Sequence, residues 1–215
     1  MLIEEMMTKN VYTLKKDDTI EKAIQLIKEK RIRHIPIVDD EMKCIGIVTD
    51  RDIRLAVPSI FSTDEQKEVF QKPIGTIMTR DVITAHPLDF VEEVAAIFYQ
   101  HHIGCLPIVK ENRLVGIITQ TDLLKTFIEL VGANQPGSHM EVRVLNKTGI
   151  LHDIVHIIRE HHINIHSVLV YPDKKDHKYK ILVFRLGTIN PYPVVEHLQN
   201  NGFEVLWPLF SGMKS

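Results

Sequence analysis

Two segments of the chain carry a threonine followed three positions later by an aspartate, Thr49 with Asp52 and Thr119 with Asp122. A helix that begins at such a threonine has unpaired N–H groups in its first turn, which attract anions. The hydroxyl there can bind a phosphate oxygen, and the carboxylate, on the same helix face, can accept bonds from both hydroxyls of a ribose. The alternative is structural: the threonine caps the helix and the aspartate complements its dipole. The local pattern therefore predicts either a nucleotide site or two ordinary helix caps.

The two motifs belong to an internal repeat. When the chain is shifted along itself, Met7 aligns with Met78 and Gly46 aligns with Gly116. Long matches that include glycines and prolines indicate a duplicated structural unit. Further matched pairs are Val11 and Val82, Thr13 and Thr84, Asp18 and Asp89, and Pro36 and Pro107.

Each copy is predicted to have the order β-α-β-β-α. A short extended piece, at 11–14 or 82–85, precedes a helix whose apolar residues recur with helical periodicity. We expect Asp17 or Asp18, and Asp89, to cap these helices. Because a unit this small cannot bury both faces of its sheet, the two copies are expected to pack together. The remaining strands are predicted at 34–38 and 44–48, and at 105–109 and 114–118.

The openings MMTKNVYTL and IMTRDVITA, the two proline strands, and the segments GIVTDRD and GIITQTD resemble a pair of CBS domains. The resemblance covers residues 4–130. It implies that the pair binds AMP, ADP, ATP or a related adenosine compound as a regulatory ligand, without a catalytic cofactor. Ribose and phosphate contacts then fall to Thr49, Asp52, Thr119 and Asp122, and the expected nucleotide-binding set also includes Thr13 and Thr84.

The two copies differ where their proline strands begin, because the first has Arg33 and His34 and the second has Gly104 and Cys105. In proteins similar to CBS pairs this strand lines the ligand cleft, which adds these four residues to the expected site. A guanidinium binds phosphate well because its donors form a planar fork. The cleft that holds Arg33 is therefore expected to prefer phosphorylated ligands. The alternative is that Arg33 is a solvated charge at a helix end.

The last third of the chain has the order β-α-β-β-α-β, which is that of the ferredoxin-like fold. Residues 140–146 alternate between apolar and polar, as in a half-buried strand. Further strands are expected at 163–170 and 179–186, with a solvated turn at 173–176 between them. The first helix is predicted to carry Leu151, Ile154, Val155 and Ile158 on one face.

Residues 140–170 resemble the opening of an ACT domain, a regulatory module that often binds amino acids between two subunits. The resemblance implies a ligand site at the loop before the first helix and at the start of the second strand, with Asn146, Thr148, Gly149 and Asn164 as candidates. Family members usually have an acid where this chain has Asn146, so a cation contact expected there lacks its carboxylate. The alternative is that Gly149 only turns the backbone and the domain only dimerises.

Two CBS domains followed by an ACT domain resemble the architecture of the acetoin utilisation protein AcuB family, which implies a link to growth on acetoin. We therefore predict an α/β (α+β) chain, with the CBS domains packed as a pseudo-twofold pair. The predicted division is a first CBS domain at 1–60, a linker at 61–76, a second CBS domain at 77–131, a linker at 132–139 and an ACT domain at 140–210.

Composition restricts the class of protein further. The formal net charge of -2 over 215 residues argues against nucleic acid or an anionic membrane surface as a partner. No apolar run approaches the roughly 20 residues of a membrane span, and the N-terminus lacks a signal-peptide pattern. We expect a cytoplasmic protein in which Cys44 and Cys105 are buried thiols.

No catalytic motif that places a nucleophile beside a base is present, which argues against an enzyme. The expected partners are an adenine nucleotide, an amino acid at the ACT domain, a second copy in a homodimer, and an unidentified regulated protein. One alternative is a metal sensor, because the chain has 12 histidines and His152 and His156 have helical i,i+4 spacing. The other alternative is a protein that serves only oligomerisation or interaction.

Overall fold

The computed structural model describes residues 1–57 and 68–209. The chain divides into two compact units, Met1–Leu124 and Lys125–Ser215. Part of the first predicted linker, residues 61–67, lies outside the described residues. Within the described ranges, no helix combines the length and apolar character that crossing a membrane requires.

The first unit holds both sequence repeats. In the first repeat, helix α1 (Ile20–Lys30) leads to strands β1 (His34–Val38) and β2 (Cys44–Thr49) and to helix α2 (Asp50–Ala56). In the second repeat the same order is α3 (Val91–His101), β3 (Cys105–Lys110), β4 (Arg113–Thr119) and α4 (Gln120–Leu130). Helix α4 crosses the division between the two units. Short 3-10 helices lie at Ile3–Glu5 and Ile74–Thr76.

The strands of each repeat form an antiparallel hairpin. β1 pairs with β2 and β3 with β4, and both pairs shift register at the same place, after Ile37 and after Ile108. The extended piece predicted before each first helix is not a full strand. It makes a single parallel bridge, from Leu14 to Ile37 or from Ala85 to Ile108. The repeat therefore has two long strands and a one-residue contact where a third strand was predicted.

The predicted aspartate caps are wrong. Helix α1 is capped by Thr19, whose side chain accepts a hydrogen bond from the backbone N–H of Lys22. Asp18 accepts the backbone N–H of Lys15 at 2.7 Å, and Asp89 accepts that of His86 at 2.7 Å. These carboxylates close the turn before each helix, because a short acidic side chain binds nearby backbone N–H groups in either position.

The opening segments of the two repeats, which precede the first helix of each repeat, are exchanged. Each opening segment packs against the other repeat. Ile3, near the start of the chain, is buried in the core of the second repeat, and Ile74, just before the second repeat, is buried in the core of the first. The bridges Thr8 to Ile117 and Thr79 to Ile47 continue the exchange along β4 and β2. Each hydrophobic core therefore needs residues from both repeats, which explains why neither repeat is a complete unit.

The matched glycines make room for this exchange. A Cβ at Gly46 would lie 2.5 Å from Met78 Sδ and 3.1 Å from the Thr79 carbonyl oxygen. A Cβ at Gly116 would lie 2.4 Å from Met7 Sδ. The glycine that precedes each T-x-x-D motif is thus the place where the methionine of the other opening packs.

We expect Gly46→Ala to destabilise the first unit by about 1–3 kcal/mol, the usual cost of overpacking. Met78 can move, but the backbone oxygen of Thr79 cannot move without disturbing the bridge to Ile47. Chemical denaturation of the full chain measures this change. The double variant Gly46→Ala with Met78→Ala should show a coupling energy between the two sites. Purely additive losses would mean that the methionine does not occupy this space.

The second unit is a four-stranded antiparallel sheet. Its elements are β5 (Ser138–Leu145), α5 (Ile150–Glu160), β6 (Ile165–Pro172), β7 (Tyr179–Leu186), α6 (Tyr192–Asn200) and β8 (Glu204–Trp207). The strand order is β6-β7-β5-β8, the ferredoxin-like arrangement that the sequence predicts. β5 begins at Ser138, two residues inside the segment predicted as a linker.

The core of the second unit lies between the two helices and one face of the sheet. Alternate residues of β5 and β7 are buried against Ile154 and Ile158 of α5. Two expectations are wrong in detail. Leu151 is 39% exposed while Ile157 is buried, because the face of α5 that packs on the core runs through Ile150, Ile154, Ile157 and Ile158. Asp173 in the predicted solvated turn is buried, since Arg143 donates to its carboxylate at 2.6 Å.

Candidate functional site

The first unit contains a cavity of about 910 Å³ that is lined by both T-x-x-D motifs. Eight of the ten residues predicted to bind nucleotide lie around it; Thr13 and Thr84 do not. Each of these two threonines sits beside the residue that bridges to the neighbouring strand, Leu14 or Ala85. The eight that the structure brings together are Arg33, His34, Thr49, Asp52, Gly104, Cys105, Thr119 and Asp122.

The two motifs have the same internal geometry. Asp52 Oδ2 accepts hydrogen bonds from the backbone N–H of Thr49 at 2.7 Å and from its hydroxyl at 2.8 Å. Asp122 Oδ2 accepts the corresponding bonds from Thr119 at 2.8 and 2.7 Å. In each motif the aspartate N–H lies 3.3 Å from the threonine hydroxyl oxygen. Each pair is therefore a reciprocal helix cap.

The capping hydrogen bonds use only one carboxylate oxygen, Oδ2, of each motif aspartate. Among the described residues, the Oδ1 oxygens of Asp52 and Asp122 have no protein partner, so each carboxylate keeps an acceptor for a ribose hydroxyl. Fewer N–H groups in the first turn of each helix are free to bind an anion than the motif predicts. The N–H of Asp50 donates to the Arg33 carbonyl at 3.0 Å, and that of Gln120 donates to the Gly104 carbonyl at 3.1 Å. The structural and ligand-binding interpretations of the motif are therefore compatible.

The cavity is strongly asymmetric in charge. Around the first motif it is lined by four arginines, Arg31, Arg33, Arg51 and Arg54. At the equivalent positions the second repeat has His102, Gly104, Thr121 and Leu124. Arg54 is paired with Asp50 at 2.8 Å, which leaves three arginines for an anionic ligand. The first motif therefore lies in the more electropositive half.

The less electropositive half of the cavity contains Cys105. Burial raises the pKa of the Cys105 thiol to about 12, with a smaller contribution from Cys44. The thiol is therefore protonated at neutral pH and contributes a small apolar surface. Burial also raises the pKa of Cys44.

Several lining residues were missed by the sequence prediction. Asn10 and Tyr12 come from the opening of the first repeat, and Asp81 comes from the opening of the second. These segments are brought to the cavity by the exchange of openings at Thr8 and Thr79. The aligned openings were visible as a repeat, but their crossing to the other copy was not.

The second unit has its own cavity of about 800 Å³ at one end of the sheet. Arg143 forms part of its wall, with Nε 2.6 Å from Asp173 and one terminal nitrogen 3.1 Å from Glu204. Its guanidinium also lies 3.8 Å from the centre of the Tyr179 ring. The guanidinium of Arg143 therefore already has two carboxylate partners and an aromatic partner within the protein. Other polar lining residues include Lys147, His152, Asp153 and His156.

The four candidate ligand residues of this unit do not meet within one chain. The backbone N–H of Asn146 donates to Lys178, beside the start of β7, whereas the carbonyl of Asn164 accepts from Gly187, beyond its end. An eight-residue strand spans roughly 24 Å between these ends. Asn146 and Thr148 flank the cavity residue Lys147, and Gly149 precedes the cavity residue Ile150, but none of the four lines the cavity. Within one chain, Asn164 and this loop therefore lie at opposite ends of β7.

The histidines of the second unit form contacts with one another. His161 Nε2 lies 3.1 Å from His197 Nδ1, and the rings of His152 and His156 stack at 6.2 Å. Over residues 1–57 and 68–209, however, no group of three or more His, Cys, Asp or Glu side chains is arranged to hold a metal ion.

Comparison with known protein families gives two matches. The model of the CBS domain matches residues 3–59 and 74–129. The model of the ACT domain matches residues 139–202. Both resemblances stated from the sequence are thereby confirmed.

Related sequences match part of this chain. An uncharacterized protein of Methanocaldococcus jannaschii is 35% identical over 74% of this chain, but the chain spans only 50% of that protein. A CBS domain-containing protein of Dictyostelium discoideum is 30% identical over 64% of this chain and 99% of its own length. A homoserine O-acetyltransferase of Methanococcus vannielii is 36% identical, and the chain spans 24% of it.

Two solved structures resemble part of this chain. One is a Vibrio cholerae protein named as an acetoin utilization protein (AcuB), with 35% identity, a TM-score of 0.55, and coverage of 63% of this chain and 96% of that chain. The other is the CBS domain pair of protein MJ0100 in complex with 5'-methylthioadenosine and S-adenosyl-L-methionine, with 32% identity, a TM-score of 0.52, and coverage of 63% and 98%. The chain therefore belongs to the CBS domain family, with an ACT domain after its CBS pair.

Proposed function

We propose that this protein is a regulatory sensor that binds adenosine compounds in the cavity of its CBS pair. The observation that carries the proposal is the placement of both T-x-x-D motifs on one cavity, each with a carboxylate oxygen left for a ribose hydroxyl. The relative in complex with 5'-methylthioadenosine and S-adenosyl-L-methionine supports this ligand class. The proposed role is regulatory and not catalytic, and AMP, ADP and ATP are the proposed ligands.

Isothermal titration calorimetry of the full chain tests this function directly. AMP, ADP, ATP, adenosine and S-adenosylmethionine are titrated separately, and thermal unfolding is followed with each ligand. Binding to the folded state raises the melting temperature by mass action. We expect binding of at least one nucleotide. The absence of heat and of any thermal shift at millimolar concentration, for all five compounds, would refute the proposal.

Arg33 is proposed to select phosphorylated ligands. Arg33→Ala should weaken ATP and ADP binding by roughly tenfold, because a charge-assisted hydrogen bond is lost, and should leave adenosine binding nearly unchanged. Arg113→Ala is a matched control, since Arg113 is exposed in the same unit but lies outside the cavity. Calorimetric titration with ATP and with adenosine measures both effects. Equal losses for both ligands would show that Arg33 holds structure and does not bind phosphate.

The ACT domain is proposed to join two copies and to sense a small molecule such as an amino acid. The separation of Asn146 from Asn164 supports a site shared between copies, because one chain cannot bring them together. Ligand binding in the CBS cavity would then be coupled to the ACT domains of a homodimer, as allosteric regulation requires. A role in acetoin utilisation, with an unidentified regulated protein in the cytoplasm, is the corresponding biological proposal.

A further inference from the structure

His34 lines the cavity of the first unit at a point where the two repeats meet. Its Nε2 atom would be 3.0 Å from a Cβ at Gly104. The carbonyl of Gly104 accepts from Gln120, the first residue of the helix that Thr119 caps. A side chain of the first repeat therefore reaches the motif of the second repeat, and the glycine there leaves room for its ring.

The groups around the imidazole oppose its protonation in the free protein. Burial is the largest cause that lowers the pKa of His34 below its ordinary 6.5, and the neighbouring Arg33 lowers it further. Asp50 and Asp52 of α2 act in the opposite direction but do not compensate. On the facing strand β3, the Cys105 thiol is protonated, so it offers no negative charge.

The imidazole also makes no hydrogen bond to the described part of the protein. Among the described residues, neither ring nitrogen of His34 has a hydrogen-bond partner, although the ring is half-buried. A phosphate group placed among Arg31, Arg33 and Arg51 would supply both a negative charge and an acceptor for an imidazolium N–H. An anion within ~4–6 Å of a histidine ring favours its charged form.

We propose that His34 takes up a proton when a phosphorylated ligand binds, so that pH sets the preference of the cavity for nucleoside phosphates over unphosphorylated adenosine compounds. This inference rests on the proposed function, because it requires an adenosine ligand in this cavity. His34 is thereby a specificity-determining residue of the site as well as a pH-sensitive one.

The sign of the pH dependence follows from linkage. The free protein carries a neutral His34 above a pKa that lies below the ordinary value, and the phosphate complex keeps the proton to higher pH. Between these two pKa values, the affinity for a nucleoside phosphate falls by up to about tenfold for each unit of pH increase. Adenosine brings no negative charge, so its affinity is nearly constant over the same range.

The test is calorimetric titration of the full chain with ATP and with adenosine, from about pH 5.5 to about pH 8. Two buffers of different ionisation enthalpy report the protons taken up. His34→Gln keeps the size and hydrogen-bonding capacity of the side chain but does not titrate. His101→Gln is the matched control, because His101 is exposed in the same unit but lies outside the cavity. ATP phosphates titrate in this range too, and comparison between variants removes that contribution.

Wild type and His101→Gln are expected to take up close to one proton more per ATP than His34→Gln, which still binds ATP. Identical proton uptake in all three proteins overturns the inference while leaving the proposed function intact. Failure of wild type to bind either ligand removes the proposed function itself. An NMR titration of the His34 ring in wild type gives a second measurement: an increase in its pKa with ATP supports the inference, and an unchanged pKa overturns it.

Discussion

Replacing both motif aspartates, Asp52→Ala together with Asp122→Ala, is expected to abolish detectable binding of adenosine compounds to the CBS pair. Each single change should weaken one of two sites by about 1–3 kcal/mol, or about 5- to 150-fold. The reason is that each carboxylate offers its free Oδ1 to a ribose, and both motifs line the same cavity. Calorimetry should show two sites in wild type and one tight site in each single variant.

The same carboxylates also cap helices, so the control must separate binding from folding. Asp89 accepts a backbone N–H from the residue three positions before it, as Asp52 and Asp122 do, but it lies outside the cavity. Asp89→Ala should lower the melting temperature and leave ligand affinity unchanged. If Asp52→Ala and Asp122→Ala bind ATP and S-adenosylmethionine as tightly as Asp89→Ala does, the motifs are helix caps and nothing more.

The elements of the fold followed from local patterns. Proline strands, amphipathic helices and T-x-x-D helix starts appear in the sequence with the periodicity and spacing that their structures require, and the duplication reinforced each prediction. The exchange of openings did not follow, because Ile3 and Ile74 are apolar residues whose sequence neighbours do not show which core they enter. The caps were also mispredicted, since Asp18 and Thr19 are adjacent and both suit a helix start.

The structure brings predicted site residues to the cavity where the backbone fixes the position of the side chain. Thr49 and Asp52 occupy set positions in a helix start, so their geometry follows from the motif. Thr13 and Thr84 lie in extended segments, where alternate residues face opposite sides, and the sequence did not show which side meets the cavity. Asp81 reaches the cavity only because its segment crosses to the other repeat.

The ACT domain has two edge strands, β6 and β8, and β6 carries a run of exposed apolar side chains. β6 is an edge strand with a single neighbour, β7. Its apolar side chains Val168, Leu169, Val170 and Tyr171 are 36–48% exposed. Unpaired apolar edges promote association between chains, and proteins normally cover them. A twofold axis beside β6 lets the same edge of two copies pair with itself, which is the arrangement we propose for the homodimer.

We expect the protein to be a stable dimer in solution, with a mass by light scattering of about twice 24.8 kDa. Val170→Glu should convert it to a monomer, because a buried, unpaired carboxylate on each copy opposes edge pairing. Ile189→Glu is the matched control, since Ile189 is 90% exposed but lies outside the edge strand, and it should remain dimeric. Dimerisation should also persist in part when the chain is cut near Gln135. A wild-type mass of 24.8 kDa at tens of micromolar would exclude the homodimer, and with it the coupling between ligand binding and the two ACT domains.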